Sequence, residues 1–154
     1  MVLFGAEKIS HGSAPEAIQM IRQYFSHRGL NPDKHKVTDA DDFGYWLTEG
    51  SAKIYIFVQE SSQDAVLRIT SPLVHIPEDR SKLESFYRNL LDLNSSMSNC
   101  ALATHENLVL IVAQRPTRGL IQEELDNLLW HIAYVADMFD NQLAEKYNCQ
   151  LYRE

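Results

Sequence analysis

Cysteine and glycine are both scarce in this chain, and their scarcity removes several chemistries at the outset. Only two cysteines occur, Cys100 and Cys149, with no CxxC and no zinc-ligand spacing, so they read as free thiols in a reducing compartment. The six glycines never fall two apart, which excludes GxGxxG, and neither a phosphate-binding loop nor a GxSxG elbow is present. HExxH is missing, since His105-Glu106 continues as Asn107-Leu108-Val109, and no Glu-x-x-His pair marks a carboxylate-bridged metal. No stretch approaches the ~18 consecutive apolar residues of a membrane helix. Met1-Val2-Leu3-Phe4-Gly5 has neither the basic start nor the apolar core of a signal peptide, so the sequon-like Asn94-Ser95-Ser96 is read as ordinary sequence. Basic charge is also in deficit: 14 Lys and Arg against 21 Asp and Glu leave a net charge of −7. That balance speaks against nucleic acid as a partner. These deficits lead us to expect a cytoplasmic, non-enzymatic protein with no cofactor, no metal, no nucleic acid and no membrane partner.

The material that is present suits a packed core. The chain has 154 residues, 45% of them hydrophobic and 23% charged, as expected for one globular domain over residues 1–154 with its core at about 13–148. Residues 43–71 carry the organisation. Phe43 to Thr48 reads as a strand, Glu49-Gly50 as a two-residue turn, and Ala52 to Gln59 alternates strictly. A polar break at 61–64 precedes a third alternating run from Ala65 to Ser71, which Pro72 is expected to end. A turn at Glu49-Gly50 sets Tyr45 opposite Ile54 and Phe43 opposite Ile56; one centred on Ser62-Gln63 sets Ile56 opposite Ile69 and Val58 opposite Leu67. One face thereby collects Phe43, Tyr45, Leu47, Ile54, Ile56, Val58, Leu67 and Ile69, and a one-residue slip would scatter the set. The reverse face holds Trp46, Tyr55, Phe57 and Arg68 and is amphipathic.

Helical spacing flanks this meander. Ser13-Ala14-Pro15-Glu16 is a helix start, Ala17, Ile18, Ile21, Tyr24 and Phe25 recur at helical period, and Gly29 fits the position past the end. A second helix opens at 77–81, with Ser81 and Glu84 spaced as a capping box and Leu83, Phe86, Tyr87, Leu90 and Leu91 as its stripe. A second hairpin turns at Glu106-Asn107, pairing Ala101 with Val112 and Ala103 with Leu110 on one side, and Leu102 with Ile111 and Thr104 with Val109 on the other. Both sides are apolar, so both need cover. Leu120 to Tyr147 is the longest helix, with an apolar inner stripe and an acidic outer surface continued by Asp137, Asp140 and Glu145. The fold class is therefore α+β: a five-stranded antiparallel sheet with three helices, in the order α-β-β-β-α-β-β-α. Helices on one sheet face leave the other for a partner, which predicts a homodimer.

Several possible sites weaken on inspection. Asp39, Asp41 and Gly44 fit a calcium loop, but its fifth and twelfth positions fall on Phe43 and Gly50. Cys100 and His105 share a strand five residues apart and so point to opposite faces, which defeats a nucleophile–base pair. The six histidines are scattered; His131 beside Trp130 reads as a helix-edge residue. Arg115 and Arg118 flank a helix start suited to phosphate, though solvated charge is the commoner state there. Trp46, Tyr55, Phe57 and Arg68 remain the protein-binding candidates. Packing beneath the first helix or the polar loop at 31–42 explains the same residues equally well.

The order of elements resembles the type III secretion chaperone fold. Trp46, Leu67-Arg68-Ile69-Thr70-Ser71-Pro72-Leu73, Phe86-Tyr87-Arg88-Asn89-Leu90-Leu91-Asp92-Leu93-Asn94 and the Leu125–Asp137 helix resemble, more specifically, the YbjN-domain group, over roughly residues 15–147. The resemblance implies a small acidic protein, often dimeric, that holds a polypeptide client on apolar surface, in a regulatory or stress-related role. The leading expectation is thus a non-enzymatic adaptor or chaperone-like module; the alternative is a small-ligand-binding sensor with a cavity between helices and sheet.

Overall fold

The computed structural model describes residues 12–38, 43–60 and 64–153. Helix α1 (Ala14–His27) begins where the Ser13 hydroxyl accepts the Glu16 amide and ends at Gly29, whose φ of +71° no branched residue takes cheaply. Three strands follow, β1 (Phe43–Glu49), β2 (Ala52–Glu60) and β3 (Ala65–His75). Helix α2 (Leu83–Asn94) leads into β4 (Ala101–His105) and β5 (Leu108–Pro116), and α3 (Gln122–Tyr147) closes the order. The five strands form one antiparallel sheet, β1-β2-β3-β5-β4. This is the α+β architecture the sequence implied.

Alternation decides the layers. Tyr45, Leu47, Ile54, Ile56, Val58, Leu67, Ile69, Leu102, Val109, Ile111 and Ala113 are buried and share one sheet face. Ile21 and Phe25 of α1, Phe86 and Leu90 of α2, and Leu125, Leu129, Ile132, Ala136 and Leu143 of α3 complete that core. Ser71 is buried among them and donates its hydroxyl to the Lys53 carbonyl, so its polarity is satisfied. Residues of the opposite face, Gly44 and Leu110 excepted, are at most half-buried. The sheet is thus covered on one side by helices and left accessible on the other. Phe43 departs from the expected core set: it is 58% exposed at the start of its strand.

The hairpin at Glu106-Asn107 has the expected register throughout, as does the pairing of β2 with β3. The first hairpin is shifted by two residues from expectation: Tyr45 opposes Ile56 and Phe43 opposes Val58. Gly50, with φ of +59°, takes the first central position of a Gly50-Ser51 turn rather than the second of a Glu49-Gly50 turn. A two-residue shift equals the side-chain period, so every residue keeps its face.

Two further expectations are corrected. Pro72 does not end β3, which runs on to His75 through an irregularity between Pro72 and Val74. Beyond Thr70 the β2 ladder has stopped, so the missing proline amide costs no bond on that side. Ser81 and Glu84 do not form a capping box; Asp79 accepts both the Ser81 amide and hydroxyl in a 3-10 turn, Arg80–Lys82, ahead of α2. A short acidic residue one turn earlier reaches those donors first. Of the anticipated α2 stripe, Phe86 and Leu90 are buried, while Tyr87 and Leu91 are exposed.

Candidate functional site

The accessible sheet face brings the four sequence-designated residues together. Trp46 lies directly across from Tyr55 on the β1–β2 ladder, and Phe57 across from Arg68 on the β2–β3 ladder. The Tyr55 and Phe57 rings lie two residues apart on β2, near-parallel at 9° with centroids 6.4 Å apart. The Lys53 ammonium stands 3.7 Å from the Trp46 ring centroid, a close cation–π contact. Arg68 donates to the Gln114 side chain at 2.9 Å, extending the row onto β5. Phe57 is seated over Gly44: a Cβ built at Gly44 comes within 2.8 Å of its ring. The outcome is a half-buried aromatic platform about three strands wide, cationic at two points.

Two irregular segments frame the platform, and neither carried a periodic signal. Residues 32–37 form a 3-10 turn and a short strap around β1: Lys36 bridges Tyr45 and the Val37 amide donates to the Gly44 carbonyl. His35 lies between the two layers, 5.2 Å from the Phe25 ring in the core and 4.6 Å from the Trp46 ring on the open face. The strap covers β1's free edge at that point, so strand addition there is blocked. Asp39, Asp41 and Asp42, the acids of the supposed calcium loop, lie outside the described residues.

The second frame is the C-terminal tail. After α3 ends at Asn148, in left-handed conformation, the Tyr152 amide donates to the Leu73 carbonyl and the His75 amide to the Gln150 carbonyl. Leu151 bridges Val74, so the tail adds an extended segment to β3 just where β2 has left it. Tyr152 places its hydroxyl 3.3 Å from that of Tyr55, at the margin of the platform. Sequence reasoning missed the strap because it has no period, although its partners are near neighbours in sequence, and the tail because its partners, Leu73 to His75, lie far away in the chain.

The remaining candidates have structural occupations. Arg115 is paired with Glu124 and also donates to the Arg118 carbonyl; Arg118 is paired with Asp64 at 2.6 Å. Neither guanidinium is therefore held for a phosphate. His131 contacts the Ser98 carbonyl at 3.0 Å, fastening α3 to the loop after α2. Burial raises both thiols, Cys100 and Cys149, above the ordinary cysteine range. Among the described residues no group of histidine, cysteine and carboxylate side chains is arranged to hold a metal ion. No helix of the described residues is long and apolar enough to cross a membrane.

Comparison with known proteins agrees with this architecture. No curated protein sequence matches the chain. A chain of the crystal structure of the ExsC–ExsE complex aligns with a TM-score of 0.60 at 14% identity, covering 84% of this chain and 95% of the other. The Yersinia pestis type III secretion chaperone SycH, solved with a fragment of YscM2, aligns with a TM-score of 0.51 at 14% identity, over 78% and 96%. YbjN from E. coli aligns with a TM-score of 0.47 at 10% identity, over 88% and 96%. Residues 28–154 match the family model TY-Chap1, described as the T3SS (YopN, CesT) and YbjN peptide-binding chaperone 1. The chain belongs to that family of peptide-binding chaperones.

Proposed function

We propose that this protein is a non-enzymatic adaptor of chaperone type that holds an extended client segment against the platform of Trp46, Tyr55, Phe57 and Arg68. The observation that carries the reading is a sheet whose second face presents three half-buried aromatic rings without a helix packed on them. An extended segment lays alternate side chains onto such a face, and aromatic rings supply contact area at small entropic cost. Membership of a peptide-binding family supports the same role, as do two solved relatives recorded in complex with other polypeptides. The working unit in this reading is a homodimer, seated on the outward side of the second hairpin, where Ala101, Ala103 and Val112 form a small-residue surface. Its setting is the cytoplasm, in regulation or stress response.

The test combines capture and mapping. Client is retained on the purified protein from native lysate, then located by amide hydrogen exchange, with light scattering reporting subunit number. Protection should appear on β2 and β3, and Trp46→Ala and Phe57→Ala should each lower retention by about tenfold, as expected for aromatic anchors. Equal retention by both variants, with protection confined to the helices, would overturn the site.

A further inference from the structure

The outer face of α3 carries a second surface that the sheet platform does not account for. Glu123, Asn127, Trp130, Tyr134, Asp137, Met138, Asn141 and Glu145 recur at three- and four-residue spacing, and all are exposed. Trp130 is 63% and Tyr134 56% accessible, with rings stacked at 5.6 Å and only 8° apart. Ile121, also 58% accessible, and half-buried Leu128 adjoin Trp130 in a surface depression of about 490 Å³, rimmed by Glu123, Glu124 and His131. A soluble helix does not ordinarily hold a stacked tryptophan–tyrosine pair beside an apolar hollow in water without an occupant.

The charge around that pair selects the occupant. From Arg118 to Lys146 the sequence contains six carboxylates, Glu123, Glu124, Asp126, Asp137, Asp140 and Glu145, and no intervening lysine or arginine. Glu124 is committed to Arg115, and the Ser51 hydroxyl donates to Asp137 at 2.9 Å with Asp140 3.5 Å away. Glu123, Asp137 and Glu145 nonetheless lie on the exposed stripe, and a neutral hydroxyl leaves the Asp137 charge uncompensated. A second copy of the chain is disfavoured. Antiparallel two-fold pairing centred on Tyr134 sets Glu123 of one copy against Glu145 of the other, because the same patch must meet itself. An acidic client meets the same repulsion.

We propose that the Trp130–Tyr134 face of α3 is a docking site for a cationic amphipathic segment of a partner polypeptide, separate from the sheet platform and independent of it. Arginine side chains of that segment stack on the exposed rings and pair with Glu123 and Asp137, while a large apolar side chain fills the hollow beside Ile121 and Leu128. The stripe from Glu123 to Glu145 spans about 33 Å, enough for roughly six turns of a partner helix.

The test uses the full chain carrying Trp46→Phe, which leaves Trp130 as the only tryptophan. The probe is a synthetic helical peptide of about 18 residues with leucine on one face and arginine on the other. Two matched peptides substitute glutamate for arginine, or serine for leucine. The expected result is a Trp130 fluorescence shift with the arginine–leucine peptide alone. Its affinity should fall by about tenfold between ~0.05 and ~0.5 M salt. Trp130→Ser, which removes the fluorophore and is therefore titrated by calorimetry beside the parent, should lower affinity by at least about tenfold, and Glu123→Gln with Asp137→Asn should lower it and flatten the salt dependence. Circular dichroism confirms folding, and the two exposed amide substitutions keep the test valid if Trp130→Ser unfolds. Equal binding of the glutamate peptide, or binding insensitive to all three substitutions, overturns the proposal. So does a dimer in light scattering that Trp130→Ser dissociates, which would give the face to a second copy. Client capture on the platform reads out through Trp46 and Phe57, so either surface fails without the other.

Discussion

Gly44→Ala tests whether the platform is built as described, because two effects of opposite sign meet there. Gly44 is in ordinary strand conformation, so alanine should relieve the entropic penalty of glycine in a strand, a gain of roughly 0.5–1 kcal/mol. Against this, the new Cβ would lie 2.8 Å and 3.0 Å from two Phe57 ring carbons and 3.1 Å from the Val37 Cβ. Phe57 is held by Tyr55 on one side and Arg68 across the ladder, so the ring moves only by leaving the row. Overpacking of this kind costs about 1–3 kcal/mol. The net expectation is a loss of about 1 kcal/mol, equivalent to roughly 2–4 °C in Tm for a chain of this size. In a Phe57→Ala background the main clash is gone and the same substitution should be neutral or slightly stabilising. A double-mutant cycle by urea unfolding should therefore give a coupling of about 1.5 kcal/mol. Additive effects of the two substitutions would refute the claim that Phe57 is seated on Gly44.

Two further expectations concern groups shifted by burial. Burial foremost, with the charge of Asp137 adding to it, raises the Asp140 carboxyl above its ordinary range. The folded state thus binds that proton more tightly than the unfolded chain does, and stability is lost as pH rises through the raised value. Asp140→Asn, which still accepts from Ser51, should raise Tm at neutral pH by about 2 °C and lose that advantage in acid; a Tm-against-pH series checks the sign. Cys100 and Cys149, both raised by burial, should alkylate at neutral pH at least about tenfold more slowly than in the urea-unfolded chain. A rate matching the unfolded chain at either cysteine would count against its environment as described.

Much of the fold was legible because its signals are local. The β4–β5 register follows from a turn with only two residues to place, and the β2–β3 register from a polar break between strict alternations. The first hairpin slipped by two because Gly50 fits either central position of a turn, and sequence alone does not say which. That error left the faces intact, since the slip matched the pleat. Pro72 misled for a different reason. A proline breaks a ladder only where a neighbouring strand asks for its amide, and the extent of β2 beside β3 is not written near Pro72.

The site was legible in proportion to how far its geometry depends on strand period. Trp46, Tyr55, Phe57 and Arg68 share a face by parity alone, so the sequence sufficed to group them. His35 and Tyr152 border the same platform from 11 and 97 residues away, through a strap and a tail with no period of their own. The α3 stripe shows a third case. A search for the apolar row of a helix finds Leu125, Leu129, Ile132, Ala136 and Leu143, wrongly adds Ile121, which is 58% exposed ahead of the first turn, and treats the other side as solvated by default. Trp130 and Tyr134 then pass as isolated exposures, because each sits in sequence beside residues of the buried row, Leu129 and Val135, and neither extends a stripe of its own. Only the folded helix shows that they stack on one another beside a hollow, on a side with no lysine or arginine between Arg118 and Lys146. Inward patterning is read from one helix, whereas an outward site is defined by what the rest of the chain declines to cover.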